Sequence, residues 1–445
     1  MPNPRRSQFP ADFRWGLSTS AFQVEGAANV DGRAASIWDT FCAEPGRIRG
    51  GATATQACEH YDRSDEDLSL IKTIGANAYR FSVSWPRILP NGRGTVNVAG
   101  LDFYDRLIDG LIERGIDPWL TLYHWDLPQA LQDKGGWPNR DTAFAFEEFA
   151  DAVSRRVGDR VRNWITHNEP WCSTIKGYFE GEFAPGLKDL GAAIQSTHHV
   201  LLSHGLAIPV LRQNVPQALC GIALSLHPIF AASESEADHA AMVRHDGIRN
   251  RWFLDPLYGS GYPEDILAEL GASAPTIQSG DIDIISTPTD FLGVNYYFRE
   301  FVADDAKELP VRTRVTETAA ADRTGFNWEV YPEGLTDLLQ RLERDYRPGP
   351  IVVTENGATY PDELDPEGAI KDSDRVSFIR RHIDALHLAM KGGVDVKGYF
   401  VWSLLDNFEW AEGYSKRFGL VHVDFQTQKR TMKDSAKWYS EFLRN

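Results

Sequence analysis

The chain has 445 residues, 42% of them hydrophobic, and a formal net charge of -17. Such a length allows a large buried core and by itself suggests about three domains, although α/β barrels of this size often remain single. The acidic balance, with no cluster of basic residues, excludes nucleic acid and anionic membrane surfaces as partners.

Eight short apolar runs alternate with helical patterns, the mark of a parallel sheet and, at this count, of a closed barrel. The predicted strands are 13–18, 78–84, 118–123, 162–166, 219–224, 291–296, 351–354 and 398–403. Helices are predicted over 64–75, 101–115, 142–157, 190–213, 235–255, 332–345, 374–392 and 433–442. In the second of these, Tyr104, Leu107, Ile108, Leu111 and Ile112 share one stripe that stops at Gly115. The seventh takes Asp374 as its N-cap and places Val376, Ile379, Ile383, Leu386 and Met390 inward. Two connections, 19–77 and 299–331, are too long for simple turns and read as walls of a site at the C-terminal rim. The expected architecture is an α/β (β/α)8 TIM barrel, a single domain over 1–445 with long loops at the C-terminal face of its strands.

Cys42, Cys58, Cys172 and Cys220 follow no metal-like spacing and are too few for a disulfide framework, which points to a reducing cytoplasm. Met1-Pro2-Asn3-Pro4-Arg5-Arg6 leads into no apolar targeting segment, and no run is long enough to span a bilayer. A soluble, cytoplasmic protein with no membrane association is expected.

Ile351-Val352-Val353-Thr354-Glu355-Asn356-Gly357 reads as a strand buried on both faces that runs into a carboxylate, an amide and a glycine. Trp164-Ile165-Thr166-His167-Asn168-Glu169-Pro170 repeats the plan, and its proline denies the strand a further ladder donor. Other strand tips add Gln23, Arg80, His124-Trp125-Asp126, Asn295, Tyr297, Trp402, Glu409 and Trp410. In a barrel all of these converge on one mouth. Two carboxylates facing across it suit glycoside hydrolysis, with retention of configuration if they stand roughly 5 to 5.5 Å apart. For either glutamate alone, a strand-end ion pair is the competing reading.

Arg80 lies in a strand that should be buried, so its charge needs a partner. Beside Glu355 it would hold that carboxyl ionised, whereas Glu169, facing an anion, would have its pKa raised and keep its proton. Trp125, Trp328, Trp402 and Trp410 are either core residues or apolar faces for a sugar ring, with His124, Asn168, Glu409 and Gln23 serving its hydroxyls. His198, His199 and His204 share a helical stretch but lack a carboxylate to complete a metal motif, and Arg49-Gly50-Gly51 follows no strand. No metal and no cofactor are assigned.

Phe13-Arg14-Trp15-Gly16, Ser20-Ala21-Phe22-Gln23-Val24-Glu25-Gly26, Arg80-Phe81-Ser82 with Ser84-Trp85-Pro86-Arg87, and His124-Trp125-Asp126-Leu127-Pro128 open a series of motifs. Thr166-His167-Asn168-Glu169-Pro170, Asn295-Tyr296-Tyr297, Thr354-Glu355-Asn356-Gly357, Trp402-Ser403 through Glu409-Trp410, and Arg417-Phe418-Gly419-Leu420 complete it. In this order, and over essentially its whole length, the sequence resembles the glycoside hydrolase family 1 β-glucosidases. The resemblance implies Glu169 as acid/base and Glu355 as nucleophile, with Arg80 and Tyr297 positioned on the nucleophile. It implies substrate contacts from Gln23, His124, Trp125, Asn168, Asn295, Trp402, Glu409, Trp410 and Phe418, with Asn168 on the 2-hydroxyl and Trp328 on the leaving-group side.

The same resemblance implies a retaining β-glucosidase acting on a small β-glucoside or cello-oligosaccharide, without cofactor. A homo-oligomer is left open. So are a galactoside- or fucoside-preferring or transglycosylating member and, further off, a non-catalytic sugar-binding protein. The 6-phospho-β-glycosidases typically carry serine in place of Glu409 and a tyrosine in place of Phe418. Lys416 matches them, but a carboxylate at Glu409 would repel phosphate, which favours an unphosphorylated sugar. His167 and Phe183 depart from the family's usual residues; the first should point away from Asn168, and the second puts leaving-group preference in question.

Overall fold

A computed structural model of the chain describes residues 4–317 and 319–445. Met1, Pro2 and Asn3 of the N-terminal segment, and Thr318 in the second long connection, lie outside the described residues. Eight parallel strands close into a barrel: β1 (Arg14–Ser18), β2 (Ala78–Ser82), β3 (Asp117–Tyr123), β4 (Asn163–Asn168), β5 (Leu219–Ser225), β6 (Phe291–Asn295), β7 (Ile351–Asn356) and β8 (Val396–Trp402). Each pairs with its neighbour in chain order, and β8 returns to β1. The major outer helices are His60–Ile74, Val98–Glu113, Asp141–Val157, Leu190–Asn214, Glu236–Asp246, Glu333–Asp345, Ser373–Lys391 and Asp434–Arg444.

The strands are near-continuously apolar because the helices cover their outer faces while side chains fill the interior. Seven strands contribute one residue each to an interior cluster: Ala78, Trp119, Ile165, Ala223, Phe291, Val352 and Phe400. The Trp119 ring centroid lies 5.3 Å from that of Phe291 and 5.2 Å from that of Phe400. β1 supplies a glycine instead: a Cβ on Gly16 would come within 2.1 Å of the Phe400 ring. This packed layer floors the mouth in which the polar strand tips gather.

The structure corrects several sequence-based expectations. Strands 162–166 and 351–354 run on to Asn168 and Asn356, so Asn168 and Glu355 stand on strand backbone and Glu169 comes directly after. Helix 235–255 breaks at Gly247–Arg251 into a wider π turn before Trp252–Leu257 resumes. The N-cap of the seventh helix is Asp372, not Asp374; the Asp372 carboxylate binds Arg375 and the backbone N–H of Ser435. Ile112 falls on the solvent side of its helix, 44% exposed, as the helix turns Phe103 and Leu101 inward.

Connection 299–331 is partly ordered sheet. Glu300–Asp304 pairs antiparallel with Thr313–Thr316, and Ile229–Ala231 joins in parallel. Strands so short and polar carry too few alternations to register as such. Among the described residues no helix is long and apolar enough to cross a membrane, and all four cysteines are buried and free.

Phe400→Ala should cost about 3–5 kcal/mol and Gly16→Ala about 1–3 kcal/mol. Because the added methyl would occupy the space Phe400 vacates, the Gly16→Ala penalty should shrink markedly in the Phe400→Ala background. Urea unfolding of the two single variants and the double variant measures the coupling.

Candidate active site

Both glutamate-bearing strands lose register just before their glutamates. The β4 ladder with β5 shifts between Ile165 and Asn168; that of β7 with β6 shifts between Val353 and Glu355. An extra residue in a strand bends it and re-aims the side chains beyond it. In β4 the shift turns both Thr166 and His167 outward. Thr166 Oγ1 meets His204 Nδ1 at 2.7 Å and His167 Nε2 meets Ser203 Oγ at 2.8 Å, while Asn168 turns into the barrel. His167 therefore does point away from the site. Glu169 then takes a φ of 46°, and Trp125 and Trp410 have φ of 79° and 49°. Non-glycine residues seldom occupy this region, and it recurs where a site demands an unusual direction. All three line the same cavity of about 680 Å³.

Around that cavity the polar side chains form one connected network. Arg80 Nη1 donates to Glu355 Oε1 at 2.5 Å and the Tyr297 hydroxyl donates to Oε2 at 2.7 Å. Arg80 Nη2 donates to Asn168 Oδ1 at 2.6 Å. Asn295 Nδ2 donates both to Asn168 Oδ1 and to Glu169 Oε1, each at 3.0 Å, while Thr354 Oγ1 donates to Asn295 Oδ1 at 2.6 Å. The thiol of Cys172 donates to Glu169 Oε2 at 3.2 Å. Glu355, Arg80, Asn168, Asn295 and Glu169 are thus linked hand to hand across the mouth.

This network also settles a tautomer. Two donors on Asn168 Oδ1 fix its amide, so Nδ2 is the atom 3.1 Å from His124 Nε2 and donates to it. His124 Nδ1 therefore carries the ring proton, and it is buried without a partner. Burial, helped by Arg80, holds this imidazole well below its ordinary pKa, keeping it neutral. His124 and Asn168 both line the cavity, where imidazole and amide groups suit hydroxyl oxygens.

Crowding of carboxyls governs the electrostatics. Burial, the largest influence, pushes Glu355 up to about 7 even though Arg80 and Tyr297 pull it down, and Glu169 adds to the rise. Arg80 does stand beside Glu355 and favours its ionised form, as expected, but it limits the rise caused by burial and does not abolish it. Glu409 is pushed up to about 8, first by burial and then by Glu355, Glu169 and Glu412, against a hydrogen bond from Gln23.

Of the residues expected at the site, His124, Trp125, Asn168, Glu169, Tyr297, Trp328, Glu355, Trp402, Glu409, Trp410 and Phe418 line the cavity. Arg80, Asn295 and Gln23 are fully buried behind its wall. Gln23 Nε2 donates to Phe408 O at 2.8 Å and to Asn407 Oδ1 at 3.0 Å, and reaches Glu409 Oε2 at 3.5 Å, so it braces the loop bearing Glu409. Connection 19–77 likewise backs the wall: Trp38 packs 4.5 Å from Trp410, centroid to centroid. Connection 299–331 does line the cavity, through Glu300, Val315, Phe326 and Trp328.

Asp406 holds the same loop from below, accepting from Gly419 N at 3.0 Å, Arg417 Nη1 at 2.7 Å and Lys433 Nζ at 2.7 Å. His198, His199 and His204 direct ring nitrogens to Tyr262 and Asp281, to the Trp137 carbonyl, and to Thr166. Trp171, Cys172, His227, Arg249 and Glu300, all in the cavity wall, were not anticipated. Only Cys172 carried a hint, standing one helical turn after Glu169. Chemically, the arrangement offers a cation-braced carboxyl opposite a second carboxyl without a cation, inside an aromatic hollow.

The profile of glycosyl hydrolase family 1 matches residues 5–445. The chain is 46% identical over 440 residues to β-glucosidase A of Acetivibrio thermocellus, covering 98% of each sequence. It is 45% identical over 439 residues to a 1,4-β-D-glucan glucohydrolase of Thermotoga neapolitana, again covering 98% of each. The solved family 1 β-glucosidase of Thermotoga maritima superposes with a TM-score of 0.96 at 44% identity, with 98% of both chains covered.

Tyr297→Phe removes a donor that favours the ionised form of Glu355, so that carboxyl should titrate at a higher pH than in the parent. Carbon-13 titration of labelled glutamate side chains reads the direction; a move to lower pH would contradict the hydrogen bond assigned to Tyr297.

Proposed function

Since the chain belongs to glycosyl hydrolase family 1 and is a glycoside hydrolase, we propose that it is a retaining β-glucosidase working by double displacement. Its substrates on this reading are short cello-oligosaccharides and other small β-glucosides, split at the terminal non-reducing glucosyl unit. The observation that carries the assignment of roles is the asymmetry between the two glutamates. Glu355 is gripped by Arg80 and Tyr297, while Glu169 makes its two side-chain hydrogen bonds with an amide and a thiol.

In the first step an ionised Glu355 oxygen attacks the anomeric carbon, the bond to the leaving oxygen breaks, and Glu169 delivers a proton to that oxygen. In the second, Glu169 as base takes a proton from water, whose oxygen attacks the same carbon and expels Glu355. Two inversions return the starting configuration. The Asn168 amide and the His124 ring would hold hydroxyls of the glucosyl unit, Glu409 would exchange hydrogen bonds with others, and Trp402 would offer a ring face.

An unphosphorylated sugar is favoured by the engagement of Lys416, whose ammonium donates to Gly325 O at 2.5 Å and sits 5.0 Å over the Phe326 ring. Turned toward Gly325, Lys416 is oriented by the loop that carries Phe326. We further read the chain as one (β/α)8 domain acting in the cytoplasm, to which four free, buried thiols are suited.

Proton NMR of the first turnovers should display the β-anomer of glucose before mutarotation; initial α-anomer would overturn the retaining assignment. Glu355→Gln should reduce turnover on the order of 10⁴-fold or more. Glu169→Gly should cost about 10²–10⁴-fold with poor leaving groups and far less with an activated phenol. Because Glu355 must be ionised, kcat/KM should fall as pH drops through the coupled carboxyls, with its acid limb displaced upward from the ordinary glutamate range toward 7.

A further inference from the structure

Beyond the two glutamates the cavity continues along a wall built at the end of β5, large enough in total for more than one sugar ring. Arg249 stands in this wall, on the π turn Gly247–Arg251, and is 5% exposed. Its Nη2 donates to Ser225 Oγ at 3.1 Å and to His227 Nε2 at 3.0 Å, and its guanidinium carbon lies 4.6 Å from the centre of the Trp171 ring. Asn250, the next residue, clamps His227 from both sides: Nδ2 donates to the His227 carbonyl at 2.8 Å and Oδ1 accepts from its N–H at 3.2 Å. The wall is rigidly assembled.

Within it Arg249 is anomalous. Its Nη1 is buried without a hydrogen-bond partner, and among the described residues no carboxylate pairs with it. The nearby Glu300 is turned to the histidines instead: His245 Nε2 is 3.0 Å from Oε2, and His227 Nδ1 is 3.3 Å from Oε1 without a hydrogen bond's alignment. A buried cation with an unused donor is costly unless something else completes it.

We propose that Arg249 is a specificity-determining residue that reads hydroxyl oxygens of a sugar leaving group. The inference rests on the glycosidase reading of the same cavity and names the class of leaving group it prefers. Two features favour a neutral polyol over an anion. Glu169, Glu180, Glu182 and Glu300 outnumber Arg249 and Lys176 along the lining, so a carboxylate would meet net repulsion while hydroxyls could donate to the acids and accept from Arg249. The lining also includes a stacked aromatic run, Phe298, Trp328 and Phe326, with centroids 4.7 and 4.5 Å apart. Aromatic faces together with buried polar groups suit the amphipathic surface of a pyranose. The same residues would hold an acceptor sugar, whose hydroxyl oxygen attacks the anomeric carbon of the glucosyl-Glu355 ester, releases the Glu355 carboxylate and gives its proton to Glu169.

Full-length parent, Arg249→Met and Arg249→Lys are compared on cellobiose, 4-nitrophenyl β-glucoside and 4-carboxyphenyl β-glucoside. In Arg249→Met the ratio of kcat/KM for cellobiose to that for the nitrophenyl substrate should fall about tenfold or more, with partial recovery in Arg249→Lys. With the nitrophenyl donor and added cellobiose as acceptor, the fraction of glucosyl groups transferred to sugar instead of water should fall by a similar factor. That partition does not depend on how much enzyme is folded. An unchanged ratio and partition, or equal loss on all three substrates, overturns the proposal. A loss largest on the carboxyphenyl substrate overturns it in favour of an anion-reading arginine. Failure of the parent to hydrolyse any of the three would instead defeat the glucosidase reading itself.

Discussion

The hydrogen-bonded ion pair between Arg80 and Glu355 is the contact on which the site's geometry depends. Both groups are almost completely removed from water, where a lone charge is prohibitive and a paired one demands close alignment. Arg80 meets that demand with one nitrogen on Glu355 and another on Asn168. Through Asn295 the same arrangement reaches Glu169. Strands distant in sequence are thereby held in one polar geometry, above a floor of Trp119, Phe291 and Phe400 that admits no slack.

Much of this was legible from residue order. The strand predictions for 78–84 and 118–123 differ from the observed strands by no more than two residues at an end, because strands covered on both faces must be apolar throughout and stop where polar tips begin. The convergence of Arg80, Asn168, Tyr297, Glu355 and Glu409 stems from parallel strands ending on one side. What stayed hidden depends on distances that one sequence does not encode. The register shifts before Asn168 and Glu355 arise from pairing with the neighbouring strands. Gln23 also bonds Asn407, Phe408 and Glu409, contacts that its place in the sequence does not show. The rise of Glu355 to about 7 comes from the sum of burial and neighbouring carboxyls, neither of which the presence of an arginine reveals. Arg249 and Glu300 lie on a π turn and a short polar strand with no periodic signature.

Of the acids that line the hollow, three are Glu169, Glu355 and Glu409. Each sits on a different strand end or loop and has its own set of donors, so a proton can reside on one without disturbing the backbone of the others. Burial and neighbouring carboxyls push Glu409 up to about 8 and Glu355 up to about 7. A polyhydroxylated guest brings donors for each of these acids, so ligand and protein relieve the same crowding together.

Lys433, which precedes the final helix, clasps Asp406 and so anchors the segment that carries Glu409, Trp410 and Phe418. Arg417 and the Gly419 N–H share that carboxylate with Lys433. One buried carboxylate thus ties the base of the final helix to the loop that faces the sugar, so a disturbance at either is transmitted to the other.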